Sequence, residues 1–116
     1  MIETRYQLDK SSAAAFDANG VATVVIANNG VSRWVVKLLN VNTSSGTQTR
    51  CTVYRGEATS RNQVDFTRSG NGDTSPTDWV VNPGEYLTAR WTFGVPGTFA
   101  TFRVEGDDMV KGRRAY

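Results

Sequence analysis

The chain has 116 residues, no histidine, one cysteine and a formal net charge of +2. Without histidine it lacks the commonest general acid–base and metal ligand, and one cysteine can neither close an internal disulfide nor build a multi-thiolate metal site. The weak net charge and the spread of its cations do not suggest a nucleic-acid binder, which usually carries a basic stripe, and no stretch approaches the roughly 20 apolar residues that a membrane helix needs.

Residues 1–20 are polar, with Tyr6, Leu8 and Phe16 scattered among them and no alternation of a strand. They read as an N-terminal arm that either packs on its own domain or reaches a neighbouring subunit. The start also lacks a basic segment followed by an apolar one, so no secretory signal is expected.

From residue 21 the pattern changes. Residues 21–27 are rich in β-branched side chains, which suit strands, and Asn28-Asn29-Gly30 supplies a turn. Residues 32–41 form the longest strand candidate. Trp34, Val36 and Leu38 fall on one face, and Val35, Lys37 and Leu39 on the other, which predicts a central strand covered on both sides. In residues 49–55, Cys51 and Val53 share a face, and Cys51 is expected to be a small buried hydrophobe. Residues 63–67 are a short strand. Residues 68–77 are the longest polar loop, and 78–81 another short strand, ended by Asn82-Pro83-Gly84.

The last pair alternates most clearly. Leu87, Ala89, Trp91 and Phe93 take one side of residues 85–93. After the turn Gly94-Val95-Pro96-Gly97, residues Ala100, Phe102 and Val104 face in, while Phe99, Thr101, Arg103 and Glu105 face out. Strand candidates at intervals of about 8–12 residues predict an all-β fold: a single antiparallel β-sandwich, jelly-roll or Ig-like, of about seven strands. The sandwich is assigned to residues 21–106, and residues 107–116 form a basic tail with Lys111, Arg113 and Arg114.

Little in the chain points to chemistry. A Ser–His–Asp or Cys–His arrangement is impossible, and no serine–lysine motif flanks Lys10, Lys37 or Lys111. The acids lie mainly in turns and tails rather than as a pair facing across a cleft. Asn71, Asp73 and Asp78 offer oxygen to a hard cation, but their spacing does not match an EF-hand loop. No catalytic residue, cofactor or metal is assigned, and the chain is read as a non-enzyme. Trp34, Trp79 and Trp91, with Tyr54 and Tyr86, suit either a sugar-stacking platform or the core. Trp34 and Trp91 read as core, and Trp79, after a polar loop, is the possible exposed aromatic.

Several segments resemble small virion-associated β-sandwich proteins of tailed bacteriophages, especially those of actinobacteria. They are Val53-Tyr54-Arg55-Gly56, the run from Phe66 through Ser69-Gly70-Asn71-Gly72-Asp73 to Asp78, Pro83-Gly84-Glu85, and Pro96-Gly97-Thr98. About half the chain is covered, mostly by turn chemistry. The resemblance implies a structural role in the virion after synthesis in the host cytoplasm. A capsid decoration or cement protein fits best, bridging neighbouring capsid subunits, with the major capsid protein or other virion proteins as partners. Copies are then expected to associate, as trimers among other states, and no nucleic acid or membrane is implied. The alternative is a tail or fibre component, either a connector or a module adhering to host glycans. Arm and tail are the expected contacts, through Ile2, Arg5, Tyr6, Leu8, Phe16, Lys111, Arg113, Arg114 and Tyr116.

Overall fold

Residues 2–112 are described by the computed structural model. Eight strands run in chain order: β1 (Ile2–Ala15), β2 (Ala22–Ala27), β3 (Arg33–Thr43), β4 (Arg50–Arg55), β5 (Gln63–Thr67), β6 (Gly72–Val81), β7 (Tyr86–Thr92) and β8 (Phe99–Gly112). They form two antiparallel sheets, ordered β1-β8-β3-β6 and β2-β7-β4-β5, packed face to face. This order is that of a jelly roll, so the sequence's two sandwich options resolve to one.

The first sheet is the longer. Strands β1 and β8 each have 14 residues, against 5 to 7 for the strands of the second sheet. At one end, here the tip, both sheets finish together and four loops join them (residues 16–21, 44–49, 68–71 and 93–98). At the other end the first sheet runs on past the second as an overhang, and the molecule measures 56 × 26 × 22 Å.

The core lies between the sheets, where alternate side chains from both inner faces meet. Trp34, Leu39, Phe102 and Val104 come from the first sheet. Val24, Cys51, Leu87 and Trp91 come from the second, and all are buried. The Trp91 indole N–H donates to the Gly70 carbonyl at 2.9 Å, so this large ring is buried without an orphaned donor.

Three boundaries differ from the sequence reading. Residues 2–15, read as an arm, are β1, paired with β8 through an unbroken register from Ile2↔Gly112 to Ala15↔Phe99. Their alternation is hidden because only Leu8 and Ala14 meet the core. Thr4, Tyr6, Lys10 and Ser12 share that face but lie on the overhang or at the open margin, where polar side chains stay wet. Residues 107–112, read as the start of a tail, are the end of β8. Residues 72–77, read as loop, belong to β6. Pro76 sits there because β6 is an edge strand facing a register shift in β3, where no ladder donor is needed.

That shift also corrects the faces of β3. Against β8 the ladder slips between Val36 and Leu38, so an extra residue, Lys37, lies in the bulge, while β6 answers with an extra residue of its own between Pro76 and Trp79. Trp34, Val36, Leu39 and Val41 therefore share the buried face, and Leu38 points outward. Strict alternation placed Leu39 with Val35, which made both faces look apolar. The outer face of β3 is in fact uncovered. Gly106 lies opposite the bulge, where a Cβ would come within 2.0 Å of the Val35 carbonyl oxygen.

Candidate assembly surface

Side chains able to do chemistry are dispersed or already engaged. On the outer face of the first sheet, Arg33 makes two 3.0 Å bonds to the Glu3 carboxylate. Arg103 does the same to Asp9 at 2.8 and 2.7 Å and also meets Glu105 at 3.0 Å. Hydrogen bonding from Arg33 holds the Glu3 carboxyl below its usual range, with Lys111, its cross-strand neighbour on β8, adding to the effect. Arg103 does likewise for Asp9. Cys51 sits between the sheets, and burial pushes its thiol up to about 12.

Asn71, Asp73 and Asp78 do not converge on a cation site. The Asn71 amide is a clamp inside the tip. Its oxygen accepts from Thr49, and its nitrogen donates to the Ser45 and Thr47 carbonyls. Asp73 instead accepts from the Thr67 hydroxyl and the Thr74 N–H. Among the described residues no three His, Cys, Asp or Glu gather as metal ligands. No helix there is long and apolar enough to cross a membrane.

What the fold does present is exposed aromatic side chains, most of all at its two ends. At the tip, Phe93 is 61% exposed and Phe99 57%, with Val95 beside them. Alternation put Phe93 inside, but β7 stops at Thr92, and Phe93 has φ +66°, which turns its side chain out. Its neighbours enforce that conformation. Gly94 lies so close to the Phe16 ring that a Cβ would overlap it at 2.2 Å, and its N–H donates to the Gly20 carbonyl at 3.0 Å. The Thr47 hydroxyl donates to the Phe93 carbonyl at 2.7 Å, and the Arg50 guanidinium stands 5.2 Å from the ring centre. Ser44 and Ser45 accept from the N–H groups of Phe99 and Val95. The aromatic tip is thus rigidly framed.

At the overhang, Tyr6 is 56% exposed and Arg5 meets Asp107 at 3.7 Å. Buried Asn28 fixes the nearby loop, donating to the Ser32 and Val81 carbonyls at 2.9 Å and accepting from the Gly30 N–H.

The predicted contact residues therefore separate. Arg5, Tyr6 and Lys111 are exposed on the overhang. Leu8 and Phe16 are buried core residues, which corrects their assignment as contacts. Ile2 opens β1 opposite Gly112. Arg113, Arg114 and Tyr116 lie outside the described residues. Trp79 is half-buried against the core rather than fully exposed. Sequence reasoning missed the tip, although an outward Phe99 beside an apolar turn was a signal for it.

No protein-family model matches the chain, and no curated protein matches it. Among solved structures, the fold is similar to a chain in the acidic stable capsid structure of Helicobacter pylori bacteriophage KHP30. The TM-score is 0.60 at 14% identity, over 93% of this chain and 94% of that one. It is also similar to a chain of Bacillus endospore appendages, a family of disulfide-linked pili. There the TM-score is 0.53 at 12% identity, over 94% and 91% of the two chains. Both likenesses are of fold, and each runs nearly end to end.

Proposed function

We propose that this chain is a non-enzymatic structural protein of a bacteriophage particle, seated on the capsid shell as a decoration protein that bridges neighbouring capsid subunits. The observation that carries the reading is the rigid aromatic tip: Phe93, Val95 and Phe99 stand in water on a frame of hydrogen bonds. Exposed aromatics on a fixed frame lose little freedom on docking and anchor interfaces well. The whole-length likeness to a capsid chain supports the setting. Stabilisation of the shell would be mechanical, through area buried only once the shell is assembled. Repetition over the lattice would add avidity.

A tail or fibre component is the second reading, favoured by the likeness to a pilus chain. The linkage named for those pili has no counterpart here, because the one cysteine, Cys51, is enclosed in the core.

The test is co-sedimentation with undecorated shells and with purified tails. We expect saturable binding to shells, weakened about thirtyfold by Phe93→Asp with Phe99→Asp, the loss typical of a hot spot. Unchanged binding by a folded double variant removes the tip from the interface. Binding to tails alone replaces the shell reading with the second one.

A further inference from the structure

The sandwich has four sheet edges, and three are blunted against pairing with another strand. Strands β2 and β5 have only 6 and 5 residues, and β6 carries Pro76 beside the bulge. The fourth edge, β1, is 14 residues long, unbulged and free of proline. Among the described residues β1 pairs with β8 alone, so one row of its backbone donors and acceptors is open.

We propose that the occupant of this edge is the β1 edge of a second copy, paired antiparallel about a twofold axis at Gln7. This inference is independent of the shell reading. The charges along the strand select the register. With Gln7 opposite Gln7, Arg5 lies opposite Asp9 twice, and Glu3 lies opposite Ser11. A slip of one pair step in one direction sets Glu3 against Asp9, and in the other it leaves Arg5 facing Ser11. Slips that interchange the two faces would bury the wrong side of the strand. Arg5 is free to respond, with its side chain 67% exposed and its ion pair to Asp107 long, at 3.7 Å. Asp9 is 42% exposed even while bonded to Arg103.

The inner face supports the same register. Beside β1 the margins of the two sheets leave a groove of about 380 Å³, lined among others by Lys10, Ser12, Val25, Ile26 and Trp34. Pairing at Gln7 puts the second copy's Thr4 opposite Lys10, at the mouth of this groove, and its Tyr6 next to Leu8. Tyr6, 56% exposed in one copy, would lie against the second molecule in the pair. The joined edges would run for roughly 35 Å. The result is one continuous eight-stranded sheet across two molecules, with a tip at each far end.

Disulfide trapping on the full chain tests the register without shells. Residues directly opposite in an antiparallel pair have Cα atoms about 4.5–5.5 Å apart, within disulfide range. Gln7→Cys should give a covalent dimer on mild oxidation. Arg5→Cys and Asp9→Cys should each stay uncrosslinked alone and link when mixed. The control is Thr74→Cys on the β6 edge, and buried Cys51 stays silent. Sedimentation equilibrium of the unaltered chain should show a dimer, weakened about tenfold or more by Arg5→Asp. A monomer or trimer at every concentration, or Gln7→Cys linking no faster than Thr74→Cys, overturns the proposal. Either result leaves shell binding to be judged separately.

Discussion

Two single residues show where alternation stops being a guide. Trp91, Phe102 and Val104 were legible as core because their strands keep a period of two around them. Leu39 was placed on the wrong side because Lys37 is an extra residue in the ladder, and nothing in the side chains of β3 announces it. The partner does announce it. Gly106 is pressed against a neighbouring backbone, with a Cβ position 2.0 Å from the Val35 oxygen. Gly106→Ala should therefore cost about 3 kcal/mol in denaturant unfolding, as over-packing against backbone does. Gly72→Ala, with nothing within 4 Å, should be close to neutral. Equal effects at the two sites would mean that the bulge relaxes freely. Phe93 failed for a different reason. Its outward turn follows from the contact of Gly94 with Phe16, which are 78 positions apart in the chain, and local pattern cannot carry such information.

Among the elements, β1 was the least legible. A strand normally betrays itself by a buried stripe, but half of this one overhangs the second sheet and its outer face is ionic. Those ion pairs make its attachment sensitive to acid. Arg33 reaches over β8 to Glu3, and Arg103 on β8 holds Asp9, so both carboxyls stay ionised below their ordinary range. A carboxyl depressed in the folded state contributes stability that is fully present above its unfolded value and is lost as pH falls through the folded one. The expected window lies below roughly pH 4. Amide exchange should then show β1 losing protection between pH 7 and pH 3 by more than β7, which lies between β2 and β4 inside the second sheet. High salt at neutral pH should shift β1 in the same direction, since exposed pairs are screened. Parallel losses in both strands would assign the attachment to packing alone.

For the molecule as a whole, the class of fold was readable and the strand order was not. Turn residues at regular spacing announce a sandwich, but pairing of the first strand with the last is a contact between the most distant parts of the chain. It makes the polar N-terminal stretch indispensable, because it brings Leu8 into the core and completes a sheet. Deleting residues 2–15 should abolish the cooperative unfolding transition and the near-UV dichroism of the tryptophans. A truncated chain that still melts cooperatively would return that stretch to the status of an appendage. The candidate surface was legible only in part: Phe99 pointed outward in sequence, while the frame that fixes its neighbours is assembled from four separate loops. The same closing pair, Ile2 beside Gly112, has a practical side. Side chains grafted at Glu3 and Lys111, directly opposite one another, would sit together at one pole, with most of the 56 Å length of the domain between them and the aromatic pole. A pair of dyes placed there would report the parting of first and last strands while leaving the opposite pole untouched.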